Sequence, residues 1–227
     1  METDPRDQEA SFTEPLRILF QDENLVAIDK PAGMVVHSTK ELTTPEWVVM
    51  KRLRDQIGRK VYPAHRLDRP TCGVLLFALD EQTLALLHDA FTRREMRKTY
   101  LAVVDGVPPE RWESLEPIED SAGEKETHAH TAFERLAMRE GISLVKALPT
   151  TGRFHQIRRH LAGAGFPIVG DYRYGDIARN DELREMLGTG SRMLLQAKSL
   201  EFTHPYSVEA LRLEAPEERV FHEWFAG

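Results

Sequence analysis

One carboxylate in this chain, Asp68, stands among cationic or titratable neighbours in the segment His65-Arg66-Leu67-Asp68-Arg69-Pro70-Thr71-Cys72-Gly73. Pro70 and Gly73 punctuate the segment, and it runs straight into the apolar stretch Val74-Leu75-Leu76-Phe77-Ala78-Leu79, so it reads as a loop feeding a buried strand. A carboxylate there is either half of a structural ion pair or a reactive group kept ionised by adjacent positive charge. On residue types alone the structural reading is the commoner one. A second segment shifts the balance: Thr151-Gly152-Arg153-Phe154-His155-Gln156-Ile157-Arg158-Arg159-His160-Leu161, followed by Ala162-Gly163-Ala164-Gly165-Phe166-Pro167. A glycine turn precedes a short amphipathic helix, which the two later glycines and Pro167 end. At helical spacing Ile157, Leu161 and Ala164 share one face while His155, Arg158 and Arg159 share another, so one face is expected to pack and the other to present cations. Apart from Asp68 itself, neither segment has the usual interleaved acidic partners, in a chain otherwise rich in acid.

Together the two segments resemble the RluA family of pseudouridine synthases, through the patterns HRLDxxTxG at 65–73 and TGRxHQIRxHLAxxGxPIxGDxxYG at 151–175. Two shorter segments fit the same family: Asp29-Lys30-Pro31-Ala32-Gly33-Met34-Val35-Val36-His37 is similar to its KPxGxxVH, and Arg97-Lys98-Thr99-Tyr100 to its KxY. The four occur in the family's order between about Asn24 and Pro205. The stretch from Val48 to Gly58 and on through Ala64–Thr71 looks most like the branch that modifies uridine 65 of tRNA. The resemblance implies an α+β fold with a mixed, largely antiparallel sheet, bent around a central cleft and flanked by helices. It also implies isomerisation of a uridine in structured RNA, with tRNA favoured over ribosomal RNA. Asp68 would be the catalytic carboxylate, Arg158 its ion-pair partner, and Tyr100 the tyrosine that packs against the target base. Cys72 stands where the family usually has Ser, Gln196 where it has His, and Ser38 where Pro is common. None of these touches Asp68, Tyr100 or Arg158.

The net charge of -7 at first argues against an RNA partner, because phosphate neutralisation by Lys and Arg dominates nucleic-acid affinity. Its distribution reverses that argument. Residues 1–14 hold five acids and one base, residues 110–126 seven acids and two bases, and residues 209–227 five acids and two bases. The rest of the chain is therefore net positive, with seven bases against two acids in residues 51–69 and four against one in residues 93–98. The basic groups lie around the proposed chemistry, as an RNA-binding surface requires. The residues expected to contact RNA are His65, Arg66, Arg69, Arg153, His155 and Arg159. Among them Arg66 is assigned to fill the gap left when a stem uridine is extruded, because a guanidinium plane stacks on bases while its charge meets phosphate.

The elements that must position these groups follow from periodicity and breakers. Residues 1–14, acidic and almost without apolar anchors, read as a disordered tail ahead of one catalytic domain over 15–227 with no separate N-terminal RNA-binding domain. Leu25–Ile28 reads as a strand turned by Lys30–Gly33. Thr44 as N-cap with Pro45 at the first helical position starts a helix whose Val49, Leu53 and Ile57 line up before Gly58 ends it. Gly73–Leu79 is a strand, Leu84, Leu87 and Phe91 mark a helix, and Tyr100–Val104 is a further strand. The acidic stretch Pro108–Thr127 is expected to run over the surface. A weak strand pattern follows around His128–Arg135, and Ile142–Ala147 and Leu194–Phe202 complete the set.

Other chemistries fit less well. Isomerising uridine breaks a glycosidic bond, so a hydrolase using Asp68 is a rival reading. A typical glycosidase needs a second carboxyl across the bond, and here Asp68 is surrounded by Arg and His. A non-catalytic RNA-binding module is the other rival, disfavoured by the joint presence of Asp68, Tyr100 and Arg158. His155 and His160 are five apart, on different helix faces, and His128 with His130 lacks an evident third ligand, so no metal is expected. No phosphate loop of nucleotide-binding type occurs and no cofactor is inferred. A single cysteine, no apolar run of membrane-spanning length and no signal-like N-terminus point to a cytoplasmic location, and a monomer is expected.

Overall fold

The protein is described as a computed structural model covering residues 14–38, 44–120, 123 and 125–226. The expected tail, apart from Glu14, lies outside the described residues. In chain order the elements are β1 (Arg17–Gln21), β2 (Leu25–Lys30), α1 (Val49–Ile57), β3 (Tyr62–Pro63), β4 (Cys72–Ala78), α2 (Glu81–Thr92), β5 (Arg97–Asp105) and β6 (Arg111–Ser114). They continue as β7 (Ile118–Glu119), β8 (Glu126–Thr127), β9 (Thr131–Arg139), β10 (Ile142–Pro149), α3 (Gln156–Gly163), α4 (Ile177–Leu187), β11 (Leu195–Thr203) and β12 (Ala210–Glu214). The mixture of helices and largely antiparallel strands is the expected α+β class.

Two compact units divide the chain, one ending at Met96 and resuming over Ser199–Pro216, the other made of Arg97–Lys198 with the residues from Glu217 onward. In the first unit β2 pairs antiparallel with both β1 and β4, β3 joins β4, and β12 pairs antiparallel with β11. β4 is buried along its whole length, which is why Cys72–Ala78 reads as continuous apolar residues rather than an alternation. Leu25, Ala27, Val74 and Leu76 share a core with Leu87 of α2 and with Leu200, Phe202 and Leu213. Asp80 caps α2, its side chain accepting the Thr83 amide at 2.7 Å.

The start of α1 departs from expectation. Pro45–Trp47 forms one turn of 3₁₀ helix, and the α-helix begins only at Val49. Thr44 contributes its carbonyl to the Trp47 amide, at 3.1 Å, but does not cap α1. The amides of Val49 and Met50 are taken instead by the carbonyls of Val35 and Val36, at 2.9 and 3.1 Å, so α1 opens without a side-chain cap. Gly58 ends it in the left-handed conformation, φ 66°, as expected.

In the second unit the strand order is β11, β5, β10, β9, β6, with β10 antiparallel to both β5 and β9 and β6 antiparallel to β9. Both faces of β5 are covered. Ala102 and Val104 pack with Ile157 and Leu161 of α3, whereas Leu101 and Val103 pack with Leu183 of α4 and with Phe221. The apolar run Leu101–Val104 follows from that double burial. The acidic stretch is more structured than a surface excursion: it supplies the edge strand β6 and the small antiparallel hairpin β7–β8, with Glu110, Glu113, Glu116 and Glu119 exposed.

Candidate active site

The loop that carries Asp68 is stitched to the turn after β2. Lys30, at the end of β2, is fully buried, and its ammonium donates to the carbonyls of Pro31, Arg69 and Thr71 at 2.8, 3.2 and 2.8 Å. The Gly33 amide donates to the Arg69 carbonyl at 2.8 Å, and Arg69 Nε returns a bond to the Gly33 carbonyl at 3.0 Å. Gly33 holds φ 90°, a conformation that favours glycine and lets both bonds form. Within the loop the Thr71 amide donates to the Asp68 carbonyl at 3.1 Å, closing a turn on the half-buried Asp68. The Arg69 guanidinium lies 5.6 Å from the Trp47 ring centre. Burial pushes the Lys30 pKa down from 10.5 to about 7, with Cys72, Asp68 and Asp29 pulling it back up and Arg69 adding to the fall.

Two neighbours of Asp68 behave differently from one another. His65 Nε2 accepts the Leu76 amide at 3.1 Å and its ring lies 5.4 Å from that of Phe91, so this ring anchors the loop to β4. Arg66 is exposed.

In the second unit the turn before α3 is organised by Gln156. Its Oε1 accepts from Thr151 Oγ1 at 2.7 Å and from the Arg153 amide at 3.0 Å, while its Nε2 donates to the His130 carbonyl and to Thr131 Oγ1, both at 2.9 Å. Beneath the same turn Lys98 donates to the Thr151 carbonyl at 2.7 Å, and burial lowers its pKa to about 8. His155 precedes α3 with φ 55°, a left-handed conformation uncommon for a side-chain-bearing residue. Its ring stacks on Phe154 with centroids 3.7 Å apart, and its Nδ1 lies 2.9 Å from the Tyr174 hydroxyl. Tyr100, on β5, is half-buried against the core that holds Ile157 and Leu161.

The basic face of α3 is not the solvent-facing stripe that spacing suggested. Arg158 is buried, 6% exposed, and forms a two-point ion pair with Asp171, itself 1% exposed: Nε to Oδ2 at 2.7 Å and Nη2 to Oδ1 at 2.9 Å. Arg159 donates to the Glu119 carbonyl at 2.9 Å, so the acidic hairpin partners the helix. Arg153 is exposed and donates from Nε to the His128 carbonyl at 3.1 Å. His160 is buried, its ring nitrogens each 3.0 Å from Thr131 Oγ1 and the Glu116 carbonyl, and burial lowers its pKa. His130 is likewise engaged by Thr150 and Glu113. Among the described residues no group of three His, Cys, Asp or Glu is arranged to hold a metal ion, and no helix is long and apolar enough to cross a membrane.

The expected residues thus fall into two sets. His65, Arg66, Asp68 and Arg69 belong to the first unit, and Tyr100, Arg153, His155, Arg158 and Arg159 to the second. Residue reasoning did not single out Lys30, Gln156, Asp171 or Tyr174. Their signal was their place in the quoted motifs, but sequence separation hides that Asp171, thirteen positions on, folds back to Arg158.

A family model described as RNA pseudouridylate synthase matches residues 24–163. Among known proteins, the chain is 40% identical over 220 residues to tRNA pseudouridine synthase C of Haemophilus ducreyi, covering 88% of this chain and 90% of that one. It is 41% identical over 221 residues to the protein of the same name from Vibrio cholerae, with 88% and 90% covered. Of solved structures, human RNA pseudouridylate synthase domain containing 4 superposes with a TM-score of 0.73 at 28% identity, covering 90% of each chain. Human RNA pseudouridylate synthase domain containing 1 gives a TM-score of 0.74 over 99% of this chain and 91% of that one; at 22% identity it bears on the fold alone.

Proposed function

Because the chain belongs to the RNA pseudouridylate synthase family, we propose that its substrate is a transfer RNA, that the target is a uridine of the position-65 type, and that Asp68 performs the chemistry. The relatives named tRNA pseudouridine synthase C, similar over nearly the whole chain, support the choice of RNA. Isomerisation breaks the bond from C1' to N1, turns the base and joins C1' to C5, with C5 losing its proton and N1 gaining one. As a nucleophile or as a base towards the sugar, Asp68 must be ionised and held still. The observation that carries the assignment is the clamp on its loop, in which one buried ammonium binds the carbonyls of Arg69 and Thr71 on the far side of the turn that Asp68 opens. Arg158 is read as the cation that keeps Asp68 ionised, Tyr100 as the ring against the target base, and exposed Arg66 as the group that replaces the extruded uridine. His65, Arg69, Arg153, His155 and Arg159 complete the RNA-contacting set, and the protein works as a cytoplasmic monomer without metal.

The test is to incubate the protein with bulk tRNA and ribosomal RNA carrying C5-tritiated uridine, and to map the modified nucleotide. Release from tRNA at one position supports the reading. Release from ribosomal RNA alone would replace the proposed substrate.

A further inference from the structure

Asp171 makes more contacts to the candidate site than its place outside the expected set suggests. Its Oδ1 accepts from Arg158 Nη2 at 2.9 Å and from the amides of Arg173 and Tyr174 at 3.1 and 3.3 Å, while Oδ2 accepts from Arg158 Nε at 2.7 Å. One carboxylate therefore sets both the plane of the guanidinium and the course of the loop that delivers Tyr174. The Tyr174 ring lies 5.1 Å from the Arg158 guanidinium carbon, and its hydroxyl reaches His155. The loop is itself fixed. The Asp171 carbonyl accepts the Gly175 amide at 2.8 Å and Asn180 Nδ2 at 3.2 Å, and a Cβ at Gly175 would come within 2.9 Å of that carbonyl oxygen. Two of the three guanidinium nitrogens are committed to Asp171, so the direction of the third, Nη1, is fixed by geometry rather than left to a flexible side chain.

We propose that Asp171 is a positioning residue for the isomerisation, acting through Arg158 by fixing the guanidinium that serves the catalytic carboxylate. A buried two-point pair with Asp171 leaves Arg158 preorganised, with no rotamer search between one substrate and the next. The inference rests on the reading of Arg158 as an active-site cation.

Four proteins test it: wild type, Asp171→Asn, Arg158→Lys and the double variant, each measured for kcat on tRNA, for tRNA affinity and for thermal unfolding. Asp171→Asn should lower kcat about 10- to 100-fold, the scale on which an ångström of misplacement acts, with affinity within about twofold of wild type. In the Arg158→Lys background the same change should lower kcat less than twofold further, because the group it positions is already gone. Full kcat in Asp171→Asn, or multiplying losses in the double variant, would overturn the proposal. If Asp171→Asn does not fold, Asp171→Glu keeps the charge one methylene further out and should show the same kcat loss at unchanged affinity. Failure of both to fold would make Asp171 a folding residue and overturn the proposal too. Full activity in Arg158→Lys would instead sink the reading of Arg158 on which the inference depends.

Discussion

Two buried cations, Lys30 of the first compact unit and Arg158 of the second, are held in opposite ways. Lys30 binds three backbone carbonyls and has its pKa lowered to about 7 by burial. Arg158 is matched by the carboxylate of Asp171 at two points. A guanidinium stays charged at any pH a protein survives, whereas an ammonium can shed its proton. The loop bearing Asp68 is therefore fastened by a clamp that weakens near neutrality, and the helix bearing Arg158 by one that does not.

Removing the carbonyl clamp should separate the two cations most clearly. Lys30→Met leaves the carbonyls of Pro31, Arg69 and Thr71 without this donor, which should cost about 3 kcal/mol of stability at neutral pH and cut kcat ~100-fold. Urea unfolding and single-turnover rates measure the two. A variant as active as wild type would show that the loop needs no clamp.

Smaller, and sharper in sign, is the pH dependence. With a folded pKa of about 7 against an ordinary 10.5, Lys30 is deprotonated in the folded chain and protonated in the unfolded chain between those values. The unfolded state binds more protons there, so the Lys30 contribution makes stability rise with pH across that window, and its burial penalty is complete below about 7. A neutral amine offers two N–H donors to three carbonyls, so kcat should fall as pH rises through the same range. The stability difference between wild type and Lys30→Met should thus move in favour of wild type from pH 7 to 10 while wild-type kcat declines. Stability and activity that rise together would contradict the clamp.

These two cations also show what was legible in the sequence. The strands β2, β4, β5 and β10 and the helices α2 and α3 follow from apolar runs, spacing and glycine stops, because those signals reside in neighbouring residues. The start of α1 does not, since carbonyls of Val35 and Val36, more than ten residues upstream, replace the cap that Thr44 seemed to offer. Charge was the hardest to read. Spacing places Arg158 in a stripe of cations and the family resemblance pairs it with Asp68, but neither reveals Asp171, which reaches it from a later loop; Lys30 reads as an ordinary turn residue because the loop it binds lies about forty positions on.

Next in size is Arg66→Lys, which keeps charge and loses the planar stacking group. Turnover should fall about tenfold on a uridine in a paired stem and less on an unpaired one. Equal losses on both would remove the flipping role from Arg66. The smallest effect is on affinity: despite the net charge of -7, tRNA binding should weaken as salt rises, each phosphate contact adding about 0.7–0.9 to the log–log slope. Binding that ignores salt would contradict the contribution of the basic loops.

The most direct test of the central claim is single-turnover tritium release from C5-labelled tRNA by wild type and Asp68→Asn, with tRNA affinity measured on the same preparations. The change is nearly isosteric and removes only the reactive charge. Asp68→Asn should bind tRNA with wild-type affinity and give no detectable release. Substantial release from Asp68→Asn would contradict the claim.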